Sequence, residues 1–349
     1  MAQAVPPPST EALPPYDILG FWYGAGTASE LTIYCYGKRF NITVSAENLQ
    51  GDLKIESEYL SLLHKLDSDE PFEQEDDKGD PMEELCFWIA FKCNSQMRTL
   101  GSEQKPRFHT LYDWFYPDTL ILTPKIIDGR LNVQTSTPAQ QFLQDLTPHV
   151  ELPCSIADFG IPVVSPSHIL LPRDTTGRDL PQRPTKVFTE QGMTRFFKPT
   201  YVSEPADREI STLLRIQSLG LSNIIRAPKI HEFVEFQDGS SKISGILMDY
   251  IEYRDSLGYI DISTTALTVR MRWVSQIQHM IEKLHTAGIV WGDAKPDNIL
   301  VGADDNLWII DFGGGYTHGW VDDHKEGTME GDSQALSRIV EFLLDKTSE

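Results

Sequence analysis

Several things are scarce in this chain, and each shortage excludes something. No run of about 18 apolar residues occurs, so no hydrophobic segment of membrane-spanning length is written into it. The start, Met1-Ala2-Gln3-Ala4-Val5-Pro6-Pro7-Pro8, lacks the basic residues and hydrophobic stretch of a secretion signal. A soluble, cytoplasmic protein with no membrane partner is expected. The four cysteines, Cys35, Cys86, Cys93 and Cys154, show neither CxxC pairing nor zinc spacing, so buried free thiols are expected. Cations are also short: 51 Asp and Glu stand against 30 Lys and Arg, a formal net charge of −21. The average field repels nucleic acid and anionic membranes, so a nucleic-acid partner needs a local basic surface.

What is present suits a folded protein: 349 residues with 40% hydrophobic composition provide for two ordinary cores. Residues 1–16 are proline-rich and aperiodic, which describes a flexible leader. Residues 17–150 mix strands and helices as an α+β domain. Leu31–Tyr36 and Phe40–Val44 flank Gly37-Lys38-Arg39 as a hairpin, and helical text follows at Ile55–Leu66. Asp67–Glu84 is acidic and broken by Pro71, Gly79 and Pro81, a solvated loop. Then Arg98, Lys105, Arg107 and His109 lead into Phe108, Tyr112, Trp114, Phe115 and Tyr116. That mixture suits either nucleic-acid stacking or domain packing.

After a proline-rich crossing near Leu152–Pro172, residues 151–349 read as a second domain. Lys186–Lys198 predicts two strands around a Gln191-Gly192 turn. A helix follows, with Pro205 in its first turn, Ile210, Leu213 and Leu214 on one face and Glu209 beside them. Strands at His231–Phe236 and Ile243–Tyr250 precede a long helix over Ala266–Ala287. Next come Trp291-Gly292-Asp293-Ala294-Lys295-Pro296-Asp297-Asn298 and, 13 residues past Asn298, Asp311-Phe312-Gly313.

In order, Lys198, Glu209, Asp293, Lys295, Asn298 and Asp311 resemble the skeleton of the protein-kinase-like fold. The resemblance implies a bilobal domain, with a small lobe over about 160–250 and a truncated large lobe over about 251–349. It assigns phosphate binding to Lys198, pairing to Glu209, a base to Asp293, and metal to Asn298 and Asp311. Asp332 resembles the residue that opens the helix anchoring the catalytic loop. Three departures stand out: Trp291-Gly292 replaces His-Arg, no G-x-G-x-x-G precedes Lys198, and no A-P-E follows Gly313. Asp293, Lys295 and Asn298 are therefore open to a second reading as inherited scaffold, and Lys198 with Glu209 as a structural ion pair.

Asp322-Asp323-His324-Lys325-Glu326 follows. In a helical turn its three carboxylates would share a face and need a cation, either a metal or a guanidinium. A D-D-x-x-E motif after a degenerate kinase-like core resembles the arginine-containing cyclodipeptide synthases of filamentous fungi. That resemblance implies an aminoacyltransferase of secondary metabolism that condenses arginyl-tRNA with a second aminoacyl-tRNA into a diketopiperazine. No cofactor would be required, since the tRNA ester is already activated. Asp322, Asp323, Glu326 and Asp293 would be catalytic, and Lys198, Glu209, Lys295, Asn298 and Asp311 would bind substrate. Arg173, Arg178, Arg183, Lys186, Arg195, Arg270 and Arg272 are candidate tRNA contacts, or ordinary surface charge. His324 is a base or a bystander, and the pentad is also readable as a solvated acidic turn. The alternatives are a phosphotransferase using Mg-ATP and a non-catalytic binding module.

Overall fold

The computed structural model describes residues 13–24, 26–67, 80–101, 108–153, 156, 159–172, 184–237, 239–315 and 317–344. Several expectations lie outside these residues: most of the leader, the centre of the acidic loop, Lys105, Arg107, Cys154, Arg173, Arg178 and Arg183. The chain is a mixed α/β protein of two compact units. The first runs to His109 and resumes over Asp113–Leu146; the second takes Thr110–Tyr112, Thr147–Pro172 and the chain from Pro184.

In the first unit five strands lie side by side in sequence order: β1 (Asp17–Tyr23), β2 (Ala28–Cys35), β3 (Lys38–Ser45), β4 (Thr119–Ile127) and β5 (Arg130–Ser136). β3 and β4 pair in parallel and the other neighbours are antiparallel. The β2–β3 hairpin turns on Tyr36-Gly37, both at positive φ (50° and 74°). Such a pair matches the strand twist of a two-residue hairpin, so the turn is tighter than the expected Gly37–Arg39 loop.

Helices α1 (Ala46–Leu49), α2 (Leu53–Asp67) and α3 (Pro81–Leu100) follow β3 in sequence. α3 begins where Asp80 accepts a hydrogen bond from the Met82 N–H at 2.8 Å, with Pro81 at the first helical position. Leu31, Ile33, Phe40 and Ile42 of the sheet pack with Leu63, Leu85 and Ile89 of the helices. Cys86 and Cys93 lie in the same core, where burial pushes their thiols up to about 11 and about 12. They are the inert, free thiols expected. Of the aromatic segment, Leu111–Phe115 forms a short helix, α4, and Gln140–Asp145 forms another, α5.

The second unit holds short strands β6 (Val150–Glu151), β7 (Val163–Val164) and β8 (Ile169–Leu170), then β9 (Lys186–Thr189), β10 (Thr194–Pro199), β11 (Ile230–Glu235) and β12 (Lys242–Asp249). They form one sheet in the order β7-β11-β12-β10-β9-β8, with β6 on β12. Helix α6 (Ser203–Ser218) buries Ile210, Leu213 and Leu214, the face predicted for it. A second sheet joins β13 (Tyr253–Ser256), β14 (Ile299–Gly302) and β15 (Leu307–Ile309).

Between β13 and β14 runs α7 (Leu267–Thr286). It buries Trp273, Val274, Ile277, Met280, Ile281 and Leu284, a stripe at helical spacing. It ends at Gly288 (φ 68°), whose N–H reaches His285 O at 3.0 Å while the Ile289 N–H reaches Leu284 O at 2.9 Å. This pair of bonds closes the helix end and turns the chain back. Consequently Ile289 and Trp291 enter the same core as α7. The final helix, α8 (Met329–Leu344), adds Ala335, Ile339 and Leu343. Among the described residues no helix is long and apolar enough to cross a membrane.

At the end of β12, burial alone would raise the Asp249 carboxyl. Hydrogen bonds from His231 at 2.6 Å and from the Lys229 N–H at 3.0 Å outweigh it and hold the group below the usual carboxylate range. A depressed folded pKa stabilises the fold above the unfolded value of about 3.9, and that contribution is lost as pH falls through the folded value. Urea denaturation across pH 2–6 is therefore expected to show a shallower acid-side loss of stability for Asp249→Asn than for wild type.

Candidate active site

The loop after α7 is fixed before any side chain in it can act. Asp332, in the first turn of α8 and 2% exposed, accepts hydrogen bonds from the Trp291 N–H at 2.8 Å and the Gly292 N–H at 2.9 Å. His285 of α7 stands 3.0 Å from the same carboxylate, and the indole N–H of Trp291 donates to Ile310 O at 2.9 Å. A helix end, the loop and α8 thus share one buried carboxylate, and the next residue is Asp293.

Asp293 is 7% exposed and surrounded by donors. Lys295 Nζ donates to its Oδ2 at 2.8 Å. Asn298 Nδ2 reaches the same oxygen at 2.8 Å and the Asp293 backbone carbonyl at 2.9 Å. Thr317, which sequence reasoning missed, donates to Asp293 Oδ1 at 3.3 Å and accepts from Lys295 Nζ at 2.8 Å. Its only signal in sequence was a hydroxyl six residues after Asp311. The arrangement holds the carboxylate in one orientation, with a donor on each oxygen.

A second cluster forms around Lys198 of β10. Its Nζ donates to Glu209 Oε1 of α6 at 2.7 Å and to Asp311 Oδ1 at 3.0 Å. Burial works to lower the ammonium pKa, but the two carboxylates and their hydrogen bonds outweigh it and raise it above its ordinary value. Glu209 is 6% exposed, and burial pushes its carboxyl up against the pull of Lys198. Asp311 takes the left-handed conformation (φ 62°), costly for a residue with a side chain and maintained here by Lys198. Phe312 beside it is fully buried in the core.

The two clusters belong to one site. Asn298 O accepts from the Ile310 N–H at 3.0 Å, so the strand pair β14–β15 sets Asn298 beside the residue preceding Asp311. All of Lys198, Glu209, Asp293, Lys295, Asn298 and Asp311 enter this network.

The acidic pentad does not form the expected helical turn with three carboxylates on one face. Only Asp323–Lys325 makes a single 3-10 turn; Asp322 before it is extended (ψ 141°), and Glu326 after it leaves the helical region (ψ 136°). Asp322 turns instead to α8, accepting from Gln334 Nε2 at 2.6 Å and Arg338 Nη2 at 3.0 Å. Those hydrogen bonds hold its carboxyl below the usual range. The guanidinium expected from a ligand is supplied by the chain itself. Among the described residues no group of three or more His, Cys, Asp or Glu gathers to hold a metal.

The candidate basic surface is also differently employed. Arg270 donates to Thr265 O at 3.1 Å and Leu343 O at 3.0 Å, and Arg272 to Asp305 O at 3.1 Å. Arg195 donates to Thr194 O at 3.2 Å, while Lys186 lies over the Tyr250 ring at 4.6 Å. These four side chains tie the second unit to itself.

Comparison with known proteins bears on the same stretch. Residues 198–324 match the family profile described as protein kinase domain. The chain is similar to the serine/threonine-protein kinase SKS1 of Saccharomyces cerevisiae, 33% identical over 115 residues that cover 31% of this chain and 20% of that protein. It is 41% identical over 54 residues to the serine/threonine-protein kinase kin-29 of Caenorhabditis elegans, covering 16% of this chain and 7% of the relative. With the serine/threonine-protein kinase PKH3 of Eremothecium gossypii it shares 34% over 55 residues, 16% of this chain and 8% of the relative. The chain spans a fifth or less of these relatives' length. These matches correct the expectation of a cyclodipeptide synthase, of aminoacyl transfer, and of arginyl-tRNA and a second aminoacyl-tRNA as partners. The physical reason for the error is that a five-residue acidic motif carries little information, and Asp322 serves to anchor a helix.

Asp332 lies beyond the matched stretch, so its role rests on geometry. Asp332→Ala strands two buried N–H groups, each worth about 1–3 kcal/mol. In urea titrations it is expected to lose clearly more stability than Asp332→Asn, which retains one acceptor oxygen. Over residues 198–324 the chain is similar to a protein kinase domain.

Proposed function

We propose that the chain is an ATP-dependent phosphotransferase acting on a serine or threonine hydroxyl of a protein. The observation that carries this reading is the pair of clusters, Lys198 with Glu209 and Asp311, and Asp293 with Lys295 and Asn298, linked by the backbone bond from Ile310 N–H to Asn298 O. Lys198 is held charged and immobile by two carboxylates, ready to orient the phosphates of a nucleotide. Asp293 is positioned to take the proton of the acceptor hydroxyl, and Lys295 beside it to balance the charge that moves there.

The donor set also fits Mg²⁺. Asp311 is engaged with Lys198 through Oδ1 alone, and Asn298 is engaged through its amide nitrogen, so each has an oxygen to offer. Magnesium is ordinarily held by one or two protein oxygens together with substrate phosphates, so a larger acidic cage is not needed. Bound Mg-ATP would supply the transferable phosphoryl group and neutralise its charge.

The hairpin before Lys198 departs from a glycine-rich cover. It turns at Glu190–Met193 with Gly192 as its one glycine, so fewer backbone N–H groups can approach the phosphates than in G-x-G-x-x-G. Weak nucleotide affinity is the consequence.

Radiolabelled ATP with Mg²⁺ and a panel of generic acidic and basic proteins tests the reading. Wild type is expected to transfer label, and Asp293→Asn to lose about 100-fold or more, the usual contribution of a positioned base. Lys198→Met is expected to lose transfer and the rise in melting temperature with Mg-ATP. No transfer and no nucleotide-dependent shift in wild type would overturn the proposal.

A further inference from the structure

The five-stranded sheet of the first unit is buried on two faces of different character. Phe40, Ile42 and Val44 of β3 point into the apolar core shared with α2 and α3. Alternation along the strand turns Arg39 and Asn41 to the opposite face, where Tyr34 and Thr32 of β2 stand opposite them and Thr119 of β4 pairs with Arg39. All five of these side chains are buried, so a polar layer lies under cover there.

Asn41 is satisfied in that layer. Its Nδ2 donates to Glu30 Oε1 at 2.7 Å and to Thr32 Oγ1 at 2.9 Å, which engages the Glu30 carboxylate as well. Arg39, 5% exposed, is not. Its Nε donates to Thr119 Oγ1 at 3.0 Å and its Nη1 to Phe115 O at 3.3 Å, long for such a bond, while Nη2 is buried with no partner. Asp118, whose backbone carbonyl accepts from the Arg39 N–H at 2.8 Å, gives its side chain to Lys38 instead. Burial with no carboxylate alongside lowers the guanidinium to about 10, although Tyr116 pulls the other way.

A second donor on the same stretch is stranded. The indole Nε1 of Trp114, the residue before Phe115, is buried and has no acceptor. A charge taken out of water needs an opposite charge or full hydrogen bonding to offset the cost, and Arg39 has neither.

We infer that Arg39 anchors a binding site for a small organic acid, whose carboxylate seats on the guanidinium between β3 and the 114–119 segment. A planar carboxylate accepts two parallel bonds from the Nη1–Nη2 fork, and the long bond to Phe115 O is the one it displaces. Because so little of Arg39 is exposed, a free small molecule reaches it and an acidic side chain on a folded partner does not. The site lies within the first unit and does not rest on the phosphotransferase reading.

The probe is acetate, compared with chloride at equal ionic strength. Titration of the full chain with carbon-13-labelled acetate, read by line broadening, is expected to show saturable binding. Arg39→Met is expected to bind at least about tenfold more weakly, the loss of one charge-assisted interaction. Hydrogen exchange of wild type reads the same event without a variant that could fail to fold. There acetate is expected to slow exchange most in peptides spanning residues 38–41 and 114–119. Undiminished binding in Arg39→Met, no protection in those peptides, or an effect that chloride reproduces refutes the inference. So does binding of inorganic phosphate in place of acetate, since the anion would then be tetrahedral rather than a carboxylate.

Discussion

The carboxylate of Asp332 is the constraint on which the second unit's chemistry depends. It is almost wholly buried, yet its partners come from three places: the end of α7, the backbone of Trp291 and Gly292, and α8, which carries it. A buried carboxylate is tolerated only when its oxygens are fully engaged, so the three elements cannot separate without exposing an unsatisfied charge. Asp293 inherits its position from this arrangement. The apolar core beneath, with Trp273, Ile277, Trp291 and Phe312, supplies the packing, but packing alone would not fix which way the loop's N–H groups face.

Around that anchor the site is built by charge matching between elements distant in sequence. Lys198 joins a strand, a helix and the loop after β15; Lys295 and Thr317 enclose Asp293; Arg338 secures Asp322 to α8. Thr317 follows Gly313 by only four positions and hydrogen-bonds both Asp293 and Lys295.

The kinase-like set of residues was legible in the sequence because its spacing is local and its residue types are chemically demanding. Asp293, Lys295 and Asn298 lie within six residues, Asp311 follows at a short interval, and the helical periodicity of α6 and α7 is strong. From Lys186 to Ala287 the predicted boundaries deviate by a residue or two, the long helix expected over 266–287 running Leu267–Thr286, whereas the loop expected to reach Glu84 ends where Pro81 opens α3. The pentad misled for the converse reason. Its carboxylates share a face only if the stretch is helical, and Gln334 and Arg338, distant in sequence, pull Asp322 into an extended conformation instead.

By itself, then, the sequence determined the strands and helices from Lys186 to Ala287 and the grouping of Lys198, Glu209, Asp293, Asn298 and Asp311 as a set. Apolar periodicity and fixed short spacings are properties of neighbouring residues. Tertiary structure alone decided the partners of Asp332, the return of Thr317 to Lys295, and the capture of Asp322 by α8. Each of these joins residues whose separation in the chain carries no information about their separation in space. The energy of a charge depends on what surrounds it after folding rather than on what adjoins it in sequence.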